Sequence, residues 1–322
     1  MKHRPDRRLV LRRLGQAGMV LGGSSVAASL GLFSRGRWSG KTAAAAIPRY
    51  FLPAEPGSPA AVIARGGSPA ALARAAVERV GGMGRFVRRG ETVLVKPNMA
   101  WDRTPEQGAN THPEIVAEVV RLCREAGAGR VVVADVPVHD ARRTAARSGI
   151  EEAARAAGAE FFIPVTAGFT LASLGGSILD RWEIFDPVLE ADRLINLPVV
   201  KDHGLSRLTC GMKNLYGVLG GTRGRLHQNI HISIADLAAA FRPTLTVVDA
   251  TRVMLRGGPQ GGRLDDLLPV GAVAAGTDLV ALDAWGATLL GIDPKEIDHI
   301  VLARGRGLGT FGTPLEEIHV GT

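Results

Sequence analysis

Basic, imidazole and amide side chains are concentrated in one stretch of this sequence, residues 194–231. Within it an apolar run, Leu194 to Val200, predicts a buried strand, and Lys201 and His203 follow at its carboxyl end. The Gly-rich residues beyond add more groups of the same kinds: Lys213, Asn214, His227 and His231. Because open α/β sheets bind their ligands at the carboxyl ends of strands, we predict a functional site here.

Three lysines form the first group of candidate functional residues. Lys96 and Lys201 each stand at the end of a predicted strand, and Lys213 precedes Asn214. If the lysines converge on one edge of a sheet, they attract a phosphate or carboxylate ligand, and one with a lowered pKa serves as a base. The alternative at each position is a solvated lysine or a structural ion pair. The candidate catalytic residues are Lys201, His203 and Lys213.

Amide and glycine residues supply further candidate positions. Residues 257–262 read Gly-Gly-Pro-Gln-Gly-Gly, a loop whose bare backbone could approach an anion. The loop lacks the Gly-Lys-Ser/Thr ending of a P-loop, so it does not indicate a nucleotide. A plain flexible connection is the alternative for the loop, and turn chemistry is the alternative for Asn98. The candidate substrate-binding residues are Lys96, Asn98, Asn214, Gly257, Gly258 and Gly261.

Candidate metal ligands form the second group: His203, His227, His231, Asp249 and Asp283. Imidazole and carboxylate ligands together suit zinc, iron, nickel or manganese. His227 and His231 are four residues apart, which would put both on one face of a helix. The isoleucines that alternate around His231 favour an extended segment before a helix at 233–241. We expect His203 and one of the other two histidines to bind a divalent metal with a carboxylate; scattered, hydrogen-bonded histidines are the alternative.

The elements that must position these residues alternate between strands and helices. Predicted strands lie at 61–64, 91–95, 130–135, 160–163, 194–200, 245–248 and 270–274, and helices follow most of them. This alternation predicts an α/β fold with a mostly parallel sheet and helices on both faces. Residues 164–190 fit the pattern less well and are predicted to form a small insertion.

The charge distribution argues against nucleic acid as a partner. The formal net charge is +8, from 39 Lys and Arg and 31 Asp and Glu. Residues 1–46 hold nine of the basic residues and one acid, which leaves 30 of each sign in the rest of the chain. The basic character therefore belongs to the N-terminal segment.

The N-terminal segment has the pattern of an export signal. Arg7 and Arg8 precede apolar residues and a base, as in a twin-arginine motif, although Asp6 and Val10 depart from that motif. A weakly apolar run and small residues up to position 46 complete a signal peptide over 1–46, followed by a linker over 47–60. This predicts the twin-arginine export machinery as a partner and an extracytoplasmic location. The alternative is an uncleaved membrane anchor.

Several motifs, taken in order, resemble the family called domain of unknown function 362 (DUF362). The matching segments are 95–98 (Val-Lys-Pro-Asn), 197–203 (Leu-Pro-Val-Val-Lys-Asp-His), 212–217 (Met-Lys-Asn-Leu-Tyr-Gly), 248–250 with 257–259, 277–284 and 305–309. The resemblance covers roughly residues 60–310 and implies a single α/β domain, which we place at 61–322. Some relatives are iron–sulfur proteins with added cysteines. This chain has two, Cys123 and Cys210, so no iron–sulfur cluster is expected from its own cysteines.

These observations favour an exported protein that acts on a small anionic molecule. The leading hypothesis is an enzyme, with a divalent metal assisting the reaction. The alternative is a non-catalytic extracytoplasmic protein that binds a ligand or a cofactor. A deep cleft that holds Lys96, Lys201, His203 and Lys213 together would favour the enzyme, whereas a shallow surface would favour the binding protein.

The metal hypothesis is tested by metal analysis of the purified mature protein. We expect stoichiometric divalent metal in the wild type and its loss from both His203→Ala and His231→Ala, because each removes an imidazole ligand. A wild type purified without chelators that contains no metal would contradict the hypothesis.

Overall fold

A ten-stranded sheet forms the centre of the protein in the computed structural model, which describes residues 44–53, 57–312 and 315–321. The strands of this sheet are β2 (Ala61–Arg65), β3 (Thr92–Pro97), β4 (Arg130–Ala134), β5 (Glu160–Phe162), β8 (Arg193–Leu197), β9 (Val199–His203), β10 (Arg207–Thr209), β11 (Leu245–Met254), β12 (Leu267–Gly276) and β13 (Glu316–His319). The order across the sheet is β13-β2-β12-β11-β8-β3-β4-β5, with β9 paired to β11 and β10. A smaller sheet has the order β1-β6-β7, with strands β1 (Ala45–Ala46), β6 (Phe169–Ser173) and β7 (Arg181–Phe185).

Ten α-helices lie in the described part of the chain: α1 (Pro69–Arg79), α2 (Met83–Phe86), α3 (Pro113–Glu125), α4 (Ala141–Arg147), α5 (Ile150–Ala156), α6 (Asp186–Leu189), α7 (Gly211–Asn214), α8 (Ile230–Phe241), α9 (Leu279–Leu289) and α10 (Asp298–Gly305). Short 3₁₀ helices cover Pro105–Gln107, Leu215–Val218, Arg223–Asn229, Leu264–Asp266 and Pro294–Glu296. The sequence predicted the start of α1 well, because Ser68 caps it through Ala71 N–H and Pro69 follows.

The sheet separates two apolar cores, which explains why the strand sequences are so uniformly hydrophobic. Successive residues of β3 point to opposite faces, so Val93 and Val95 join one core and Leu94 joins the other. Helices α1, α3 and α5 cover the first face, and α8, α9 and α10 cover the second. Strands β11, β8, β3, β4 and β5 run parallel, while β12 is antiparallel to both of its neighbours. The predicted α/β fold with a mostly parallel sheet is confirmed.

Several predicted elements differ in their bounds. Residues 194–200 form two strands rather than one, because Pro198 separates β8 from β9. The helix predicted at 233–241 begins at Ile230, so the extended segment predicted around His231 is wrong. Alternating isoleucines suit a helix here because α8 is buried on most sides. Helix α4 was not predicted, and β13 follows the strand that was expected to be the last.

The predicted insertion forms the hairpin β6–β7 of the small sheet, with β1 beside it. The buried carboxylate of Asp236 in α8 fixes the turn between the two strands. It accepts hydrogen bonds from the backbone N–H groups of Ile178 and Leu179 at 2.8 and 3.0 Å and pairs with Arg306 at 2.7 Å. Burial opposes ionisation of Asp236, but these donors outweigh it, so the pKa of this carboxyl is lowered.

Residues 44–53 lie against the domain. Tyr50 is buried, and Thr244 Oγ1 donates to its carbonyl oxygen at 2.8 Å, so part of the predicted linker is packed. The predicted signal peptide lies outside the described residues, apart from positions 44–46. None of the described helices has the length and apolar character that crossing a membrane requires.

Candidate active site

A cavity of about 170 Å³ opens at the carboxyl edge of the central strands. It lies where β3, β4 and β9 end, beside the last residues of α7 and the 3₁₀ helix at Arg223–Asn229. Six residues of the sequence-predicted site line this cavity: Asn98, Lys201, His203, Lys213, Asn214 and His227. Parallel strands bring these residues together, although up to 129 positions separate them in the chain, since all parallel strands end on the same side of a sheet.

A continuous chain of amide hydrogen bonds forms the floor of the cavity. Lys201 Nζ donates to Asn98 Oδ1 at 3.2 Å, and Asn98 Nδ2 donates to Asn214 Oδ1 at 3.0 Å. Asn214 Nδ2 donates in turn to Asn196 Oδ1 at 2.8 Å, and Asn196 Nδ2 donates to the Gly211 carbonyl at 2.9 Å. All four side chains are buried, so each donor and acceptor in the chain needs its partner.

Lys201 is further fixed by the loop that follows β3. Its Nζ also donates to the Ala109 carbonyl at 2.7 Å, so two acceptors hold the amine. Thr111 anchors the same loop, because its Oγ1 donates to the Leu197 carbonyl at 2.6 Å and accepts from Asn98 N–H at 2.8 Å. Loop 99–112 thus covers Lys201 and excludes it from bulk water.

Lys96 does not line the cavity but supports its wall. Its Nζ pairs with Asp135 Oδ1 at 2.8 Å, and both side chains are almost fully buried. Asp135 Oδ2 accepts from Met99 N–H at 2.7 Å, so this carboxylate is engaged at both oxygens. Gly217 lies directly against the pair, and a Cβ there would overlap Asp135 Oδ1 and stand 2.6 Å from Lys96 Nζ.

Arg223 places a fixed positive charge in the lining of the cavity. Its guanidinium donates to three carbonyls, those of Val136 at 2.8 Å, Tyr216 at 3.3 Å and Pro137 at 2.6 Å. Three of the five guanidinium N–H groups are thereby used, and two remain for a ligand. Arg223 is not among the residues predicted from the sequence, since nothing in its local sequence distinguishes it from a surface arginine.

The two lysines at the cavity have strongly lowered pKa values. Burial, followed by the charges of Arg223 and Lys96, lowers the pKa of Lys213 to about 7. Burial, followed by the charge of Lys213, lowers the pKa of Lys201 to about 7, although Asp135 opposes this shift. Near neutral pH the pair therefore holds fewer protons than two ordinary lysines would.

The hydrogen bonds of the two histidines leave His203 with a donor and His227 with an acceptor at Nε2. His203 Nδ1 accepts from the backbone N–H groups of Leu205 at 3.1 Å and Ser206 at 3.2 Å, so its neutral ring carries the proton on Nε2. Burial and the charge of Lys213 lower the pKa of His203 to about 3, which keeps the ring neutral. His227 Nδ1 lies 3.0 Å from the Gly224 carbonyl and must donate to it, which leaves the lone pair of His227 on Nε2.

The remaining candidate metal ligands lie away from the cavity lining. Asp249 accepts from His112 N–H at 2.8 Å and from Thr251, and Asp283 accepts from Gly211 N–H at 2.7 Å and from Met212 N–H at 3.2 Å. Burial raises the pKa of Asp283 to about 7. Both aspartates thus fix backbone segments near the site.

His231 does not line this cavity but lines a second groove. Its Nδ1 lies 3.2 Å from Nδ1 of the buried His299. Within the described residues, no three His, Cys, Asp or Glu side chains are grouped as metal ligands. The divalent-metal site stays a prediction.

The three candidate glycines of loop 257–262 pack against protein rather than line the cavity. A Cβ at Gly258 would overlap the Asp202 carbonyl of β9, and a Cβ at Gly261 would overlap Met254. Gly257 has a positive φ of 69° and lies near Asp266. Pro259, between them, does reach the cavity. These glycines thus allow close backbone approach, and their predicted contact with an anion stays a prediction.

Fold and site together define an α/β protein with a small, cation-rich cavity at the carboxyl edge of its sheet. Residues 93–288 match the family model "Domain of unknown function (DUF362)". The thylakoid-associated protein sll1697 of Synechocystis sp. is 32% identical over 260 residues, which cover 77% of this chain and 78% of that relative. The chain belongs to the DUF362 family, as its motifs indicated.

Two solved structures are similar at low identity. The lactate racemase apoprotein from Thermoanaerobacterium thermosaccharolyticum aligns with 13% identity and a TM-score of 0.39, over 76% of this chain and 61% of that one. A protein from Thermotoga maritima aligns with 10% identity and a TM-score of 0.30, over 54% of this chain and 49% of that one. This chain therefore spans about three fifths of the first solved chain and about half of the second.

Replacing Gly217 by alanine should separate the buried Lys96–Asp135 pair, because the new methyl group occupies the position of the carboxylate oxygen. We expect the free energy of unfolding, measured by urea denaturation, to fall by about 3–5 kcal/mol. Gly224→Ala is the control, since a Cβ there meets nothing within 4 Å, and its effect should stay within about 0.5 kcal/mol. Equal stability of the two variants would contradict this account of the wall.

Proposed function

We propose that this protein is an enzyme that binds a small organic anion in the cavity and uses an uncharged lysine amine beside it. The observation that carries the proposal is the unbalanced charge of the lining. Lys201, Lys213 and Arg223 contribute positive charge, and the lining carboxylate, Asp135, is already paired with Lys96. Cations held out of water without a counter-charge are costly, and a bound anion removes that cost.

The size of the cavity supports a small ligand. A volume of about 170 Å³ is well below the roughly 300–1,000 Å³ of pockets for drug-sized molecules. Trp101 and Val138 stand at the cavity together with Pro259, so apolar groups surround the cations and keep the local dielectric low. A compact carboxylate or phosphate fits this combination of volume and charge.

The histidines support a reaction rather than binding alone. His203 offers an Nε2–H donor, and His227 offers an Nε2 lone pair. Burial lowers the pKa of His227, so this ring remains neutral and can accept a proton at physiological pH. A donor, an acceptor and an amine with a pKa near 7 give the cavity the groups that general acid–base chemistry needs.

We also propose that the protein is exported by the twin-arginine route. The basic residues and apolar run of the N-terminal segment support this location, and the relative in Synechocystis is described as thylakoid-associated. Replacing Arg7 and Arg8 together by lysine should retain the protein in the cytoplasm, because the export machinery reads the arginine pair. Cell fractionation measures this, with Arg35→Lys as the control. Unchanged export of the double variant would contradict the proposal.

Anion binding should weaken as pH rises through 7. Protonated Lys201 and Lys213 attract the anion, and the anion in turn raises their pKa values, so binding takes up protons. Oxalate is a suitable probe because it stays a dianion over this range. Calorimetric titration should show its Kd increasing between pH 6 and pH 9, by at most about tenfold per pH unit for each proton taken up.

The variant Lys213→Met should bind oxalate more weakly and with a shallower pH dependence. Lys295→Met is the matched control, because Lys295 is exposed and remote from the cavity lining, and it should bind as the wild type does. A wild type that does not bind oxalate, or binds it equally at both pH values, would contradict the proposed anion site.

A further inference from the structure

The three lysine amines at the site differ in the groups that they contact. Lys96 Nζ contacts Asp135 and donates to the Pro97 carbonyl at 3.0 Å, while Lys201 Nζ has the two acceptors described above. Lys213 Nζ lies 3.7 Å from the centroid of the Tyr216 ring, and no hydrogen bond or ion pair with another described residue holds it. Lys213 is thus the amine at the cavity whose lone pair is available.

The partners of Lys201 and Lys213 also decide where a shared proton resides. Asn98 Oδ1 and the Ala109 carbonyl are acceptors, which stabilise Lys201 as an ammonium ion. The Tyr216 ring stabilises an ammonium ion at Lys213 less than two hydrogen-bond acceptors would, and the charges of Arg223 and Lys96 favour the neutral form of Lys213. The charge of Lys213 lowers the pKa of Lys201, so the two amines compete for one proton. Because Lys201 has two acceptors and Lys213 has none among the described residues, we assign this proton to Lys201, and Lys213 is then the neutral amine.

We propose that Lys213 forms an imine with a small oxo acid whose carboxylate is bound by Arg223. The inference rests on the proposed function, because it places the reaction in the same anion-binding cavity. Arg223 retains two N–H groups for the carboxylate and lines the cavity together with Lys213. An amine that is desolvated and placed next to a fixed cation is a recognised arrangement for such a nucleophile.

The steps balance with groups that the cavity holds. The Lys213 lone pair forms the C–N bond with the carbonyl carbon, and the carbonyl π electrons move to oxygen, where His203 Nε2–H donates a hydrogen bond. His227 Nε2 accepts the proton that the attacking nitrogen loses and returns it to the alkoxide oxygen, which becomes a hydroxyl group. The Lys201 ammonium protonates the departing hydroxyl, which leaves as water. The product is a protonated imine, and neither oxidant nor reductant is needed.

Reductive trapping on the full-length protein tests the imine. The protein is incubated with pyruvate, and sodium borohydride then reduces any imine to a stable secondary amine. The whole sequence has six lysines, Lys2, Lys41, Lys96, Lys201, Lys213 and Lys295, so peptide mass mapping can assign the adduct to one of them. We expect one carboxyethyl group per chain, on Lys213, and an unmodified Lys295, which is exposed and serves as an internal control.

The variant Lys213→Arg keeps the positive charge but lacks the nucleophile. We expect it to lose the adduct while it still binds oxalate and unfolds cooperatively, which separates the loss of the nucleophile from a loss of folding. An adduct on Lys201, or equal labelling of Lys295, would overturn the proposal. Oxalate binding without any adduct would reject the imine and leave the anion site standing, whereas the absence of both would reject the proposed function as well.

Discussion

The buried hydrogen-bond chain from Lys201 through Asn98 and Asn214 to Asn196 is the constraint on which the site depends. It joins the ends of β3, β8 and β9 to α7, so four separate segments must be in register before any of its members is satisfied. A partly satisfied network in an apolar interior costs more than no network. The chain therefore fixes one arrangement of the strand ends, and the cavity is the space that this arrangement leaves.

The lining of this cavity carries more positive than negative charge. Residues 47–322 carry equal numbers of acidic and basic side chains, yet the cavity concentrates cations and commits its carboxylate to Lys96. Nearby aspartates are used elsewhere, since Asp249 and Asp283 accept backbone N–H groups. Neither aspartate lines the cavity, although both bind backbone segments beside it, and this arrangement favours an anionic ligand over a cationic one.

The sequence predicted the fold and the edge of the sheet where the cavity lies, because both follow from local patterns. Apolar runs mark parallel strands, and a lysine or asparagine directly after such a run must lie at the strand's end. The sequence could not distinguish Asp249, which accepts backbone N–H groups, from Asp135, which pairs with Lys96, since each stands at the end of a predicted strand. Asn196 was hidden inside an apolar strand, and Arg223 lies in a 3₁₀ helix without periodicity. These assignments depend on side-chain partners from remote segments, which no local pattern contains.

The three lysines show how one residue type takes three roles. Lys96 is neutralised by a carboxylate and becomes structural, since the pair must stay intact for the wall of the cavity to form. Lys201 donates to two uncharged oxygens, which stabilise its ammonium form without neutralising its charge. It can therefore attract an anion and donate a proton. Lys213 has an aromatic ring in place of an acceptor and two cations nearby. The proposed role of Lys213 as the nucleophile therefore depends on the identity of its partners and not on burial alone.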